Sequence, residues 1–315
     1  MSENPHDLSV GIDFGGTSVK IGVCAGADVV ENAEPIDTAK YGDSNALIDA
    51  MVERVSSLRE KHPGIKAVGS GVPGLVDFDR GFVHELTNVP GWKNVPFRDL
   101  LASKTGLPAL VDNDANCMAY AEWAYGAGEP YHNIVALTLG TGIGGGLVID
   151  DKMYRGSQFA AGEIGQMSID YKGRPGPYGN TGASEVYMGN KQITEHAIIR
   201  YADAGMAKKA EELSPKQISE AAQAGDEIAR QIWGDVGEWL GSLLASITWL
   251  LNPDAIIVGG GMAKSGELLF HPLEEKMKSM LSVVLWDNLH LIPARFGNEA
   301  GIIGSAAQAL DAANS

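Results

Sequence analysis

Residues 110–116 read LVDNDAN, an apolar run that ends in a cluster of carboxylates and amides. A helical pattern follows at residues 115–125, and Gly126 stands just beyond it as a C-terminal stop. The stretch therefore predicts a strand that turns into a helix, with Asn113 and Asp114 at the turn. Asp114 has two interpretations, a catalytic base or the N-cap of the helix, and the local sequence alone favours the cap.

Two glycine-rich turns lie on either side of this stretch, each between two apolar runs with the alternation of strands. The first follows residues 10–14 and the second follows residues 135–139. Glycine turns can point several backbone N–H groups into one concavity, so the matching pair predicts phosphate binding. Either turn taken alone is also compatible with an ordinary hairpin. The GxGxxG match at 140–145 does not predict a dinucleotide site, because a strand rather than a helix follows it.

Charged and glycine residues beside these turns are further candidates. Asp13 precedes the first turn, where it is expected to hold Mg²⁺ through water or to accept N–H bonds from the turn. Lys20 leaves the turn and faces either the same phosphates or solvent. Gly260 and Gly261 follow the strand-like residues 255–258 and predict an adenosine contact or close backbone packing.

Composition limits the class of protein. The 315 residues are 44% hydrophobic and 20% charged, as in a globular protein with enough core for two domains. The net charge of -16 disfavours nucleic acid and anionic membranes as partners. Cys24 and Cys117 form no spacing motif and there is no signal pattern, so we expect a reducing, cytoplasmic location. Strands and helices alternate, which predicts an α/β fold.

Six motifs, in this order, resemble those of the ROK family, which is named for repressors, open reading frames and kinases. They are DFGGTSVKIGV, GVPGLVD, VDNDAN, LTLGTGIGGGLVID, AGEIG and IIVGGGM. The resemblance covers about residues 10–306 and implies a two-domain actin/hexokinase-like (ribonuclease H-like) fold with an interdomain cleft. We expect residues 1–114 plus 299–315 to form the smaller domain and residues 115–298 the larger one.

The resemblance also implies a role for each matching residue. Asp114 would be the general base that takes the proton of the sugar 6-hydroxyl, and the helix N-terminus favours its ionised form. The expected sugar ligands are Gly74, Asn88, Asn113, Asp114, Glu163, Gln166 and Glu185. The expected nucleotide contacts are Asp13, Gly15, Gly16, Thr17, Lys20, Thr141, Gly142, Gly260 and Gly261. Alternatively, Glu163 is a surface loop residue and Glu185 a first-turn acid favoured by the helix dipole.

The chain departs from the family pattern at the zinc site, which a histidine and three cysteines usually form. Gln166 stands in place of the histidine, and Gly176, Tyr178 and Ala183 stand in place of the cysteines. These side chains cannot form a soft tetrahedral site, so we predict no structural zinc. Tyrosines and prolines of this loop are expected to stiffen it instead, and Gln166 to replace the histidine as a hydrogen-bonding partner of the sugar.

The resemblance therefore implies an ATP-dependent hexose kinase that uses Mg²⁺. The loop NVPGWKNVPF, residues 88–97, resembles the version found in the family's glucokinases and favours D-glucose. Alternatives are a kinase for mannose, fructose, allose or N-acetylglucosamine, polyphosphate as donor, a sugar-responsive repressor, and a non-catalytic protein that senses sugar or ATP. The repressor is disfavoured because only about a dozen residues precede the first turn. We expect a homodimer, to which the apolar helix at 226–251 contributes.

Overall fold

The computed structural model describes residues 7–86 and 89–314. Its strands are β1 (Leu8–Phe14), β2 (Ser18–Ala25), β3 (Asp28–Asn32), β4 (Ile36–Asp37), β5 (Ile65–Val72), β6 (Val76–Asp77), β7 (Phe82–Glu85), β8 (Lys93–Val95), β9 (Ala109–Asn113), β10 (Ile134–Leu139), β11 (Ile143–Ile149), β12 (Lys152–Tyr154), β13 (Ala255–Gly260) and β14 (His290–Pro293). Its α-helices are α1 (Ser44–Lys61), α2 (Phe97–Thr105), α3 (Asp114–Tyr125), α4 (Glu185–Met188), α5 (Asn190–Asp203), α6 (Pro215–Gln223), α7 (Glu227–Leu251), α8 (Glu267–Met280), α9 (Val283–Asp287) and α10 (Ala300–Asn314).

Internal contacts divide the chain into two compact units. The first unit comprises Met1–His132, Gly146–Gly162 and Arg295–Ser315. The second comprises Asn133–Gly145 and Glu163–Ala294. Strand β11 runs from the second unit into the first. The domain boundaries expected from the sequence stay a prediction.

The two larger sheets repeat one strand order. The first has the order β3-β2-β1-β5-β9, with β4 paired to β2, and the second has the order β12-β11-β10-β13-β14. In the first sheet β1 pairs antiparallel with β2 and parallel with β5, which pairs parallel with β9. In the second, β10 pairs parallel with β13, and β13 with β14. Each sheet therefore has, at its centre, the strand that leads into a glycine turn.

The core of the first unit follows from the alternation along β1. Val10, Ile12 and Phe14 are fully buried in a cluster that also contains Met51 of α1. Gly11 lies on the opposite face of the strand, where a Cβ would stand 1.9 Å from the Ile302 carbonyl oxygen of α10. The missing side chain lets α10 approach the sheet at backbone distance.

In the second unit, the long helix α7 packs on α8 in the same manner. A Cβ on Gly237 would lie 2.5 Å from the ring of Pro272, and one on Gly241 would lie 2.8 Å from the Leu273 carbonyl oxygen. Asp226 caps the start of α7, and Asn252 ends it in the left-handed conformation. Within the described residues, no helix combines the length and apolarity needed to cross a membrane.

Most of the predicted elements are present, with ends within a few residues of those expected. No α-helix begins directly after the Gly259–Gly261 run. A short 3-10 helix, Met262–Ser265, comes first, and α8 starts at Glu267. Helix α2 and the small β6-β7-β8 sheet lie in and around the loop that sequence reasoning treated as irregular.

Candidate active site

The turn from β9 into α3 is built as the sequence predicts, but its cap is Asn113 rather than Asp114. The Asn113 Oδ1 accepts hydrogen bonds from the N–H groups of Ala115 (2.9 Å) and Asn116 (3.2 Å). Its Nδ2 donates to the Gly74 carbonyl oxygen at 3.1 Å. Asp114 is the first helical residue, and its Oδ1 accepts the Ala115 N–H at 2.8 Å. A carboxylate at this position gains from the helix dipole.

The first glycine turn closes through its backbone. The Gly15 N–H donates to the Ser18 carbonyl oxygen at 3.0 Å. The Thr38 hydroxyl donates to the Gly16 carbonyl oxygen at 2.8 Å, and the Thr38 N–H donates to the Thr17 carbonyl oxygen. Residues 15–17 are thus held at the end of β1, as a phosphate-binding turn requires.

Asp13 and Lys20 lie opposite each other on β1 and β2 and form an ion pair. The Lys20 Nζ is 3.2 Å from the Asp13 Oδ2, and the Asp13 side chain is 23% exposed. A Cβ on Gly301, near the start of α10, would lie 2.9 Å from the Asp13 Cγ. The carboxylate is therefore fixed between a cation and a helix N-terminus, and its oxygens are of the kind that Mg²⁺ prefers.

The second glycine turn also closes through its backbone, since the Gly140 N–H donates to the Gly142 carbonyl oxygen at 3.0 Å. Glu185, at the start of α4, lies against this turn. A Cβ on Gly142 would stand 2.9 Å from the Glu185 Oε2. Gly142 thus gives room for the carboxylate, and the structure brings these two predicted site residues together.

Glu185 also forms a hydrogen bond with Gln166, which the sequence analysis predicted to be a sugar ligand. The Gln166 Nε2 donates to the Glu185 Oε1 at 2.7 Å. The Gln166 Oε1 is buried and has no hydrogen-bond partner among the described residues. A buried acceptor in this state is costly unless a ligand or water donates to it. The amide is therefore oriented by one carboxylate, and its buried oxygen can accept one further hydrogen bond.

Glu163 and Glu185 interact electrostatically. Partial burial of the Glu163 carboxyl and, secondly, the charge of Glu185 raise the pKa of Glu163, although the residue as a whole is exposed. Ser184, which sequence reasoning missed, is buried and donates to the carbonyl oxygens of Ile164 (2.9 Å) and Gly165 (3.2 Å). Ser184 therefore joins the two segments that carry the glutamates. The only local signal was a serine directly before a short helix.

The loop in which the family pattern has zinc ligands is held by hydrogen bonds. The Asn180 Nδ2 donates to the Gln166 carbonyl oxygen at 3.1 Å, and the Tyr187 hydroxyl accepts the Arg174 N–H at 2.9 Å. Tyr178 is 79% exposed, so it does not stiffen the loop by packing as the sequence suggested. Within residues 7–86 and 89–314, no group of three or more His, Cys, Asp or Glu could hold a metal ion.

The predicted adenosine contacts differ from each other. Gly260 has φ of +88°, and a Cβ there would lie 2.2 Å from the Leu139 carbonyl oxygen, so close packing alone requires a glycine. Gly261 has nothing within 4 Å of its Cβ position and is open to a ligand. Close packing therefore accounts for Gly260, while the adenosine contact at Gly261 stays a prediction.

In the first unit, Gly74 adopts φ of +88° two residues after the end of β5. Asn88 lies outside the described residues. The loop that carries it is anchored by Trp92, whose ring packs edge-on against Phe14 at 4.7 Å and Phe97 at 5.0 Å. Trp92 is 2% exposed and belongs to the core. The sequence did not indicate this, because a single tryptophan in a loop rich in proline and glycine gives no sign of burial.

Comparisons with known proteins agree with this picture. The model of the ROK family matches residues 9–312. A glucokinase from Halalkalibacterium halodurans is 33% identical over 307 residues, covering 94% of this chain and 92% of that protein. A glucokinase from Streptomyces coelicolor is 32% identical, covering 95% of this chain and 96% of that protein.

Solved structures show the same fold. The crystal structure of a ROK family glucokinase from Streptomyces griseus, in complex with glucose and AMPPNP, has a TM-score of 0.81 to this chain at 30% identity. That match covers 96% of this chain and 99% of the other. The likeness confirms the predicted α/β fold of the actin/hexokinase type.

Proposed function

The chain belongs to the ROK family, and from that premise we propose that it is an ATP-dependent sugar kinase, specifically a glucokinase acting on the 6-hydroxyl of D-glucose. The observation that carries the proposal is the β9–α3 turn, where Asp114 occupies the first helical position beside the capping Asn113. The names of the relatives, which match over nearly their whole length, support the sugar.

In this proposal Asp114 is the general base. Phosphoryl transfer to an alcohol requires in-line placement, neutralisation of charge and an acceptor for a proton that leaves late. A helix N-terminus favours the ionised form of a carboxylate, and an ionised carboxylate can accept a proton that leaves late. Asp114 takes the proton of the 6-hydroxyl as the oxygen attacks the terminal phosphorus of ATP.

The other residues bind and orient the substrates. Glu163, Glu185 and Gln166 are assigned to the sugar because their carboxylates and amide can accept from and donate to vicinal hydroxyls. Asn113 and the backbone of Gly74 are assigned to the sugar as well.

The phosphates are assigned to the glycine turns. Gly15 and Gly140 use their N–H groups to close the turns. The backbone N–H groups of residues 16–17 and 141–142 are of the kind that bind phosphate oxygens. Asp13 offers oxygen atoms for Mg²⁺, directly or through water. When no Mg²⁺ is bound, the ion pair with Lys20 balances the charge of the Asp13 carboxylate. Mg²⁺, when bound, neutralises charge on the phosphates.

A coupled kinase assay tests the proposal with ATP and Mg²⁺ over glucose, mannose, fructose, allose and N-acetylglucosamine, and with polyphosphate as an alternative donor. Glucose is expected to give the highest kcat/KM. Asp114→Asn is expected to lower kcat by about 10²- to 10⁴-fold, the usual contribution of a general base. Asp99→Asn, an exposed aspartate in the first turn of α2, is the matched control and should leave kcat unchanged. Full activity in Asp114→Asn, or a higher kcat/KM on another hexose, would refute the respective part of the proposal.

A further inference from the structure

A buried carboxylate lies immediately before the candidate site. Asp112 is 2% exposed and is the penultimate residue of β9. Its Oδ1 accepts hydrogen bonds from the Asn113 N–H (2.8 Å) and from the Asn116 Nδ2 (3.0 Å). Asp112 thus joins the end of the strand to the first turn of α3, on both sides of Asp114.

Such a buried charge needs a counter-charge, and Arg155 supplies it. The Arg155 Nε and Nη2 lie 3.0 Å and 2.7 Å from the Asp112 Oδ2, and the Arg155 side chain is 16% exposed. A pair this well buried is stable only when its geometry is good and its remaining donors are satisfied. Both groups belong to the first compact unit, although they are 43 residues apart in sequence.

The guanidinium is fixed from two further directions. Its Nη2 also donates to the Gln308 Oε1 of α10 at 2.8 Å. Its central carbon lies 3.6 Å from the centroid of the Phe78 ring, in the stacked arrangement that arginine makes with aromatic faces. The Arg155 backbone is held as well, since its carbonyl oxygen accepts the Ala161 N–H at 3.0 Å. A lysine could approach Asp112 but could not make the forked contact, reach Gln308 and stack at the same time.

We propose that Arg155 is a positioning residue for Asp114, acting through the Asp112 carboxylate. With Arg155 in place, Asp112 keeps both hydrogen bonds of its Oδ1, and the first turn of α3 holds the Asp114 carboxylate in one orientation. Without Arg155, the buried Asp112 carboxylate recruits water or rotates toward other hydrogen-bond donors. The β9–α3 turn then loses its fixed geometry. The proposal rests on the proposed function only in naming Asp114 as the base.

The experiment compares Arg155→Gln and Arg155→Lys with the wild type by steady-state kinetics and by hydrogen exchange of residues 112–118. Arg155→Gln is expected to lower kcat about 10- to 100-fold, the effect of a small misplacement of a catalytic group. The KM for ATP should change by less than about twofold, because the uniform binding of ATP is untouched. Arg155→Lys should recover part of the lost kcat.

The control is Arg59→Gln, which removes an arginine of the same unit that bonds the Thr105 carbonyl oxygen at 2.9 Å, away from the β9–α3 turn. Arg59→Gln should leave kcat and the exchange of residues 112–118 unchanged. An unchanged kcat in Arg155→Gln, or an equal loss in Arg59→Gln, would overturn the proposal.

A double variant tests whether Arg155 acts through Asp112. Combining Arg155→Gln with Asp112→Asn should give a kcat no lower than that of the more damaged single variant, because the two residues act as one unit. Losses that multiply would contradict the proposal. If the wild type phosphorylates none of the sugars, the proposed function fails, but hydrogen exchange still tests the role of Arg155. Equal protection of residues 112–118 in Arg155→Gln and Arg59→Gln would reject that role.

Discussion

At the scale of single residues, Asn113 serves the fold and the candidate site together. Its oxygen caps α3 and its amide nitrogen holds the Gly74 carbonyl, so both ends of the side chain are engaged. The cap fixes where the helix starts, and the helix start fixes the position of Asp114. A sugar hydroxyl that approaches Asn113 would share these bonds with the backbone.

The raised pKa of Glu163 leads to a prediction about stability and pH. An acid whose folded-state pKa lies above its unfolded value, near 4.5, stabilises the fold below that value and loses this contribution as pH rises through the folded-state pKa. Glu163→Gln should therefore unfold at a higher denaturant concentration than the wild type at neutral pH, by less than about 1 kcal/mol because solvent screens the exposed residue. The same variant should bind glucose more weakly.

Urea unfolding at pH 4 and pH 7 gives the measurement. The difference between Glu163→Gln and the wild type should shrink toward zero at the lower pH. Glu195→Gln, at an exposed acid on α5, serves as the control for the loss of one surface carboxylate. A variant that is less stable than the wild type at pH 7 would contradict the prediction.

At the scale of elements, α10 is bound to its neighbours by contacts that tolerate no side chain. A Cβ on Gly69 of β5 would lie 1.8 Å from the Ser305 carbonyl oxygen, and a Cβ on Gly304 would lie 1.7 Å from the Cys117 carbonyl oxygen of α3. These close approaches hold β5, α3 and α10 together, and with them the helix that begins at Asp114.

Gly304→Ala is accordingly expected to lower the free energy of unfolding by about 1–3 kcal/mol or more, since the helices must separate to admit the methyl group. Gly234→Ala in α7 is the matched control: it is also a helical glycine, but no atom lies within 4 Å of its Cβ position. That variant should gain up to about 1 kcal/mol from helix propensity. Thermal and urea unfolding of both variants check the prediction, and equal stability would contradict it.

The loop between the two glutamates gives a second prediction at this scale. Purified protein should contain much less than one zinc ion per chain by elemental analysis, and chelators should leave its melting temperature unchanged. Tyr187→Phe should instead destabilise the chain by about 1 kcal/mol, because the Arg174 N–H loses its acceptor. Tyr171→Phe, in which the ring is 80% exposed, is the control. One tightly bound zinc ion per chain would refute the prediction.

Local signals were sufficient for most elements and for part of the site. The apolar run that ends at Asn113–Asp114 predicted the start of α3, and the alternating strands with their glycine turns predicted both hairpins. Helix α2 was missed because its N-cap position, Pro96, offers no capping side chain. The pairing of Arg155 with Asp112 was missed because only the folded chain brings together residues so far apart in sequence.

At the scale of the whole molecule, the second unit exposes large apolar side chains near the end of α7. Trp249 is 58% exposed and Leu250 75%, and Val283 and Val284 of α9 are 73% and 72% exposed. The Trp249 Nε1 donates to the Met280 carbonyl oxygen at 3.0 Å, which connects this surface to the end of α8. Such a cluster is typical of protein–protein contacts and supports the homodimer expected from the sequence.

Light scattering should therefore give twice the chain mass of 33.3 kDa for the wild type. Leu250→Lys combined with Val283→Lys should shift the population to the monomer, because a dimer would bury these charges. Ile199→Lys, at a separate exposed apolar residue of α5, is the control and should keep the dimer. A wild type that is monomeric at micromolar concentration would contradict the prediction.

Because the two larger sheets have the same strand order, their corresponding strand ends can be compared. The corresponding strands are β5 in the first sheet, which Gly74 follows, and β13 in the second sheet, which ends at Gly260. Both glycines have φ of +88°. The edge strand ends at the Asn113–Asp114 turn in the first sheet and at Ala294–Arg295 in the second. The same strand order thus positions different side chains at the strand ends of the two sheets. Substitutions at the strand ends of one sheet can therefore change what it binds while the other sheet keeps its structure.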